Sequence, residues 1–175
     1  MALLRGVNAG GKNRLPMADL RDMFAEAGCA AVQTYIQSGN VVFEAAQELA
    51  ERVPEIVTEA TRQRLGFETA VVVRSKEEMQ EVADSNPFDT SGDPRLLHVA
   101  FLQDTPGAEA VASLDPLRSP PDAFEVRGRD VYLHYPNGVA GSKLTNAYLE
   151  ARLQTVSTMR NWRTVLTLLD MVNAP

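Results

Sequence analysis

Three residues near the amino terminus have the spacing of a nucleotide-phosphate loop. Gly6, Gly11 and Lys12 stand at G-x-x-x-x-G-K spacing, and Asn13 follows them. In such a loop the glycines let backbone N–H groups converge on phosphate oxygens, the lysine reaches the outer phosphates, and a hydroxyl holds Mg²⁺. Asn13 offers no hydroxyl, and Pro16 delays the helix that should begin at the lysine. We therefore predict a glycine-rich cationic loop that binds an anion, and not a phosphate loop of an ATPase.

Charge is divided unevenly along the chain. The 175 residues carry a formal net charge of -6, which argues against a protein coated in nucleic acid. Residues 1–18, however, carry three cations and no acid, and residues 137–169 carry four cations against the single acid Glu150. If the fold joins these two segments they form an anion-attracting patch, and otherwise the cations are simply solvated.

Few side chains are available for metal or covalent chemistry. Cys29 is the one cysteine, and His98 and His134 are the two histidines. These numbers exclude an intramolecular disulfide, a zinc cluster and a convincing Ser/His/Asp arrangement, so we expect no metal and no cofactor, and the sequence leaves open whether the protein is an enzyme. There is no long apolar run and no signal-peptide pattern, so we expect a cytoplasmic protein with no membrane contact.

Apolar periodicity and turn residues predict the elements that position these side chains. Residues 2–6 are typical of a strand, and Pro16 stands in the predicted first turn of a helix that ends at Gly28. Two β-rich runs around the Ser38–Asn40 turn predict a hairpin. A second helix, ending near Gly66, and the run FETAVVVR complete the order β-α-β-β-α-β of a ferredoxin-like plait.

The same pattern begins again after a polar segment. Residues 84–95, DSNPFDTSGDPR, predict a linker because they are rich in Pro, Asp, Ser and Gly. Beyond it, Thr105 and Pro106 predict the start of a short helix, Gly128-Arg129 the turn of a second hairpin, and QTVST the closing strand. The predicted fold is α+β, with two ferredoxin-like (alpha-beta plait) subdomains in tandem and a C-terminal helix. Its limits are 1–83 for the first plait, 84–95 for the linker, and 96–175 for the second plait with the terminal helix.

Four segments, in this order, carry a family resemblance. They are ALLRGVNAGGKNRLPMADLRDMF, VQTYIQSGNVVFE, GSKLTNAYLEARL and STMRNWRTVLTLLDM, and they closely resemble the bacterial domain-of-unknown-function 1697 family. The resemblance covers essentially the whole chain. It implies two ferredoxin-like subdomains, in agreement with the pattern above, and it implies no particular activity because the family is uncharacterised.

Polar residues that packing does not explain lie in these segments and are the candidate ligand-binding residues. Three of them have a competing structural explanation: Asn40 is typical of a turn, Asn161 of a helix N-cap, and Arg160 either pairs with an internal carboxylate or binds a ligand, since a cation before a helix is disfavoured. The candidates are Arg5, Asn8, Gly11, Lys12, Gln37, Ser38, Asn40, Lys143, Arg160 and Asn161, with Asn146 beside them.

Three functions are compatible with these features. The leading hypothesis is a protein of unknown activity that binds a phosphate-bearing small molecule or nucleic acid through its cationic N-terminal loop and its C-terminal Arg-Asn-Trp segment. The second is an enzyme that acts on a phosphorylated small molecule. The third is a protein–protein interaction module, in which the acidic middle of the chain or an unpaired sheet edge binds a partner protein or a second copy. Fold resemblance does not choose among them.

Overall fold

The computed structural model describes residues 1–174. Contacts divide the chain into two units, Met1–Lys76 with the residues from Asp170 onward, and Glu77–Leu169. Each unit holds a four-stranded antiparallel sheet with the element order β-α-β-β-α-β, which confirms the predicted α+β class with two ferredoxin-like subdomains and a C-terminal helix. The predicted domain limits stay a prediction, and residue 175, the last of the second predicted subdomain, lies outside the described residues.

The first sheet places strand β1 between two partners. Leu3 of β1 pairs with Asn40 on one side and with Val72 on the other, both antiparallel, and the strand order is β2-β3-β1-β4. The loop that follows β1 therefore starts from the middle of the sheet. The elements are β1 (Ala2–Leu4), α1 (Met17–Glu26), β2 (Ala30–Tyr35), β3 (Asn40–Glu44), α2 (Gln47–Leu65) and β4 (Val71–Val73).

Alternation along β1 fixes which face of this sheet the two helices cover. Ala2 and Leu4 belong to the same buried cluster as apolar residues of α1 and α2, as expected when successive strand residues point to opposite faces. Gly66 takes the left-handed conformation directly after α2, with φ 74°, and ends that helix as predicted. The buried cluster consists of Ala2, Leu4, Val7, Leu15, Met17, Leu20, Met23, Phe24, Cys29, Val41, Val53, Val57 and Val71.

The second sheet repeats the topology. Val99 of β5 pairs antiparallel with Tyr132 of β7 and with Arg160 of β8, and the strand order is β6-β7-β5-β8. Helix α5 packs on the face that carries Ala100 and Leu102. The elements are α3 (Lys76–Asp84), a 3-10 turn (Pro94–Leu96), β5 (Leu97–Leu102), α4 (Ala108–Ala112), β6 (Ala123–Arg127), β7 (Asp130–His134), α5 (Asn146–Leu153), β8 (Ser157–Asn161) and α6 (Trp162–Asn173).

Two predicted helix starts are wrong by one to a few residues. Pro16 has extended backbone angles and is the N-cap of α1, not part of its first turn, because its carbonyl oxygen accepts the bond from the Leu20 N–H, 3.1 Å away. The short helix α4 begins at Ala108 with Gly107 as its N-cap, so neither Thr105 nor Pro106 starts it.

The closing strand also lies further along the chain than QTVST predicts. Gln154 has φ 54° and ends α5 in the left-handed conformation. The chain reverses direction there, so the residues between Gln154 and Ser157 belong to a turn and not to the strand. The Ser157 N–H then donates to Glu150 Oε1 at 3.0 Å. Strand β8 therefore begins at Ser157 and includes Arg160 and Asn161, two residues that the sequence had placed before the helix and outside any strand.

Candidate functional site

The segment after β1, residues 6–14, forms a loop that is exposed except at Val7 and Asn8, and we call it the glycine loop. Among residues 1–174, no atom outside the glycine itself and its two chain neighbours lies within 4 Å of a Cβ built on Gly6, Gly10 or Gly11. Glycine is therefore favoured at these positions by the left-handed backbone conformation and not by crowding of a side chain. The backbone around them is open to a ligand. Five residues of the loop have positive φ: Gly6 (66°), Asn8 (54°), Gly10 (57°), Gly11 (74°) and Asn13 (50°).

The side chain of Asn8 holds the glycine loop in place. Its Nδ2 donates to the carbonyl oxygens of Leu15, at 2.8 Å, and of Gln37, at 2.7 Å, and its Oδ1 accepts from the Leu15 N–H at 2.8 Å. The two bonds to Leu15 close the loop on itself. The bond to Gln37 joins the loop to the turn between β2 and β3. The structure thus brings together two candidate segments, around Lys12 and around Gln37, whose proximity the sequence left open.

The β2–β3 turn supports the loop through backbone contacts. The Leu4 N–H donates to the Gly39 carbonyl oxygen at 2.8 Å, and a Cβ on Gly39 would lie 2.7 Å from both Leu4 Cβ and Val7 Cγ2. Gly39 has φ 75°, so both its conformation and its surroundings require glycine, as the turn prediction implied.

Asn40 is a structural residue of the β2–β3 turn. It is fully buried and is the first residue of β3, and it does not have a positive φ. Its Nδ2 donates to the Tyr35 carbonyl oxygen at 3.0 Å and to Ser38 Oγ at 2.9 Å. The side chain therefore closes the hairpin turn, as the prediction of a turn residue implies, but it does so through hydrogen bonds and without a left-handed backbone.

The positive charge of the glycine loop is not neutralised within the first unit. Lys12 and Arg14 are exposed, and neither forms an ion pair with a described residue. Two other arginines of this unit, both on α2, are paired with carboxylates: Arg62 with Glu59, and Arg64 with Glu26. Arg5 is half-buried at the base of the loop, where its N–H donates to the Ala70 carbonyl oxygen at 2.9 Å.

Two features separate this loop from a nucleotide-phosphate loop. Helix α1 begins only at Met17, so no helix N-terminus follows Lys12 directly, and the sheet is antiparallel where the phosphate loop of nucleoside triphosphatases joins parallel strands by crossover helices. The Lys12 N–H already donates to the Ala9 carbonyl oxygen at 3.1 Å.

The candidates in the second unit have mostly structural partners. Asn161 Oδ1 accepts from the Thr164 N–H at 3.1 Å, in keeping with its predicted position at the N-terminus of the last helix. Asn146 donates to the Ser157 carbonyl oxygen at 3.0 Å and accepts from Ser157 Oγ at 2.8 Å. Lys143 is exposed in the loop before α5, and its backbone N–H donates to Ser119 Oγ at 3.1 Å.

Arg160 is the most buried of the candidate cations. Its side chain lies on β8, and its Nη1 donates to Thr158 Oγ1 at 2.8 Å and to the Met159 carbonyl oxygen at 2.9 Å. Burial lowers the pKa of its guanidinium to about 10, so the group still carries its charge at neutral pH. Trp162, the last residue of the Arg-Asn-Trp segment, is buried. This segment is consequently less accessible to a ligand than the glycine loop.

Sequence reasoning missed the grouping of two arginines around one aromatic ring in the second unit. Arg118 and Arg152 both lie over the ring of Tyr148. The available signal was the spacing of four residues between Tyr148 and Arg152 on α5, which places both side chains on one helix face.

Two structural requirements bear on the described residues, those of a metal site and those of a membrane-spanning helix. No three His, Cys, Asp or Glu side chains among residues 1–174 are placed to hold a metal ion together. Over the same residues, no helix has both the length and the apolar character needed to cross a bilayer.

Comparison with known proteins gives a family and a fold. The family model described as "Protein of unknown function (DUF1697)" matches residues 1–132, which include the glycine loop and the β2–β3 turn. No curated protein matches the chain. The chain is similar to a solved structure titled "The structure of conserved bacterial protein SP0830 from Streptococcus pneumoniae", with 23% identity, a TM-score of 0.72, and coverage of 99% of this chain and 97% of that one. At this identity the similarity shows the fold alone.

Proposed function

The chain belongs to the DUF1697 family of proteins of unknown function, and we propose that it binds a small phosphate-bearing molecule at the glycine loop. The observation that carries the proposal is the unneutralised charge of Lys12 and Arg14 beside open glycine backbone. An ammonium group, a guanidinium group and exposed backbone N–H groups are the donors that proteins use for phosphate oxygens.

Preorganisation of the loop supports this function. A mobile loop loses conformational freedom when it binds a ligand, and that loss weakens the affinity. The three hydrogen bonds of Asn8 fix the glycine loop before any ligand arrives. The cations therefore project from a backbone that is already ordered.

The composition of the loop favours binding over turnover. Residues 6–14 contain no His, Cys, Asp or Glu, which are the groups that most often act as general acid, general base or nucleophile. We also propose a cytoplasmic location, which the absence of a cysteine pair supports, since Cys29 is the one cysteine of the sequence and is buried.

Calorimetric titration of the full chain tests the proposal. We expect pyrophosphate and a mononucleotide to bind the wild type, and the double variant Lys12→Gln/Arg14→Gln to bind them about tenfold more weakly or more. The control Arg62→Gln/Arg64→Gln changes the net charge equally but alters arginines that are already paired, so its affinity should stay near that of the wild type. Equal weakening in both variants, or binding of a single-stranded oligonucleotide without binding of the small phosphates, would overturn the proposal.

A further inference from the structure

Two arginines of the second unit share one aromatic ring. The guanidinium carbon of Arg118 lies 4.8 Å from the centroid of the Tyr148 ring, and that of Arg152 lies 5.9 Å from it. The two guanidinium carbons are consequently no further apart than the sum of these distances. Attraction to the ring stabilises each cation in this position.

The backbone around the ring is well fixed. Tyr148 lies on α5, and its hydroxyl oxygen accepts a hydrogen bond from the Asp115 N–H at 2.9 Å. The Arg118 N–H donates to the Asp115 carbonyl oxygen at 3.1 Å, and the Leu117 N–H donates to Asp115 Oδ1 at 2.9 Å. The turn that carries Arg118 is thereby joined to the helix that carries Arg152.

These arginines differ from their neighbours in having no carboxylate partner. Within the described residues, neither Arg118 nor Arg152 forms an ion pair. Three other arginines of the same unit do so, in the pairs Arg95–Asp93, Arg127–Glu125 and Arg129–Glu78. Two like charges therefore lie beside one ring with no ion-paired carboxylate, and a bound anion would offset their mutual repulsion.

A third cation belongs to a residue whose backbone is bonded next to Arg118. Ser119, next to Arg118, accepts a hydrogen bond from the Lys143 backbone N–H through its Oγ, at 3.1 Å. The Lys143 side chain is exposed and, like the two arginines, has no ion-pair partner among residues 1–174. We call Arg118, Lys143, Tyr148 and Arg152 the Tyr148 patch.

We propose that the Tyr148 patch is a separate binding site for the phosphate group of a small phosphate monoester. The planar guanidinium forks of Arg118 and Arg152 suit phosphate oxygens, which they can bind in pairs. A phosphate monoester close to neutral pH carries nearly two negative charges, which match the two cations at the ring. A long nucleic acid is disfavoured because the chain as a whole, with a net charge of -6, repels a polyanion. This site does not depend on the glycine loop.

NMR titration of the full chain with inorganic phosphate near pH 7.5, followed at the arginine Nε–Hε signals, tests the site. We expect the Arg118 and Arg152 signals to shift together along one saturable curve. Binding at the glycine loop does not affect this result, because the reporters are the two arginines themselves.

Variants distinguish a built site from general charge. Arg118→Gln and Arg152→Gln should each raise the dissociation constant about tenfold, and Arg118→Lys, which keeps the charge but loses the fork, should raise it by less. Arg163→Gln is the matched control because Arg163 is also exposed and carries the same charge. Absence of the shifts, equal weakening by Arg163→Gln, or shifts caused by single-stranded RNA but not by phosphate would overturn the proposal.

Discussion

The side-chain amide of Asn8 donates to the Gln37 carbonyl oxygen at 2.7 Å. This bond joins two segments that are 29 residues apart in the sequence. The same amide group also donates to the Leu15 carbonyl oxygen and accepts from the Leu15 N–H. One side chain thus closes the glycine loop and attaches it to the hairpin turn beside it.

Asn8→Asp should destabilise the protein by about 2 kcal/mol. The substitution replaces an N–H donor by a carboxylate oxygen that faces the carbonyl oxygens of Leu15 and Gln37. Asn13→Asp is the matched control: it has a similar φ, 50° against 54°, in the same loop, but its amide makes one longer bond, 3.2 Å to the Gly6 carbonyl oxygen. Urea unfolding measures both free energies. A loss as large for Asn13→Asp as for Asn8→Asp would contradict the role given to Asn8.

Gly39→Ala should cost about 3 kcal/mol and Gly11→Ala only about 1 kcal/mol. The two glycines have almost the same φ, 75° and 74°, so the strain of a left-handed alanine is common to both. Only at Gly39 would the new methyl group meet Leu4 and Val7, at 2.7 Å. Thermal and urea unfolding of the two variants isolate the steric contribution. Equal losses would show that the hairpin turn does not pack against β1 as described.

Ile36→Asn should stabilise the protein by about 1 kcal/mol. Ile36 is a β-branched residue with φ 48°, and 51% of its surface is exposed. Asparagine therefore relieves backbone strain, and little buried apolar surface is lost. Val139→Asn is the control, since Val139 is 48% exposed but does not have a positive φ. The midpoint of urea unfolding should rise for Ile36→Asn alone. A fall in both variants would show that the apolar side chain contributes more than the strain costs.

Acid should destabilise the second unit through His98. Burial lowers the pKa of this imidazole from 6.5 to about 4, and its Nδ1 has no hydrogen-bond partner among the described residues. The unfolded chain therefore binds a proton more readily than the folded chain, so the stabilising effect of neutral His98 is complete above pH 6.5 and is lost as the pH falls towards 4. The loss amounts to at most about 3 kcal/mol.

His98→Leu tests this pH dependence. The variant should lose less stability between pH 7 and pH 4.5 than the wild type, as measured by urea unfolding at the two pH values. His134→Asn, which removes the other imidazole, leaves His98 in place and should retain the full loss due to His98. An unchanged pH profile in His98→Leu would contradict the assignment.

Much of the fold could be predicted because its signals are local. Apolar residues at helical spacing predicted α1 and α2, and Gly66 marked the end of α2 because left-handed backbone favours glycine. The start of β8 was predicted wrongly because Gln154 takes the same left-handed conformation without being glycine. Residue type therefore gave no sign of that chain reversal.

The candidate site depended more on contacts between distant residues. Lys12 and Gly11 were recognised from spacing alone, whereas the role of Asn8 required the position of Gln37, which no local pattern gives. Arg160 looked like a cation before a helix, but the register of β8 opposite Val99 puts it in a buried strand. The accessibility of a predicted residue such as Arg160 to a ligand thus depends on strand pairing, which the local sequence does not reveal.

The most direct test of phosphate binding at the glycine loop is a ¹H–¹⁵N NMR titration of the full chain with pyrophosphate. We predict that the amide signals of Gly10, Gly11 and Lys12 shift along a common saturable curve, and that Lys12→Gln/Arg14→Gln removes these shifts. Loop signals that stay unmoved at about 10 mM pyrophosphate, while signals elsewhere in the chain respond, would contradict the proposed function.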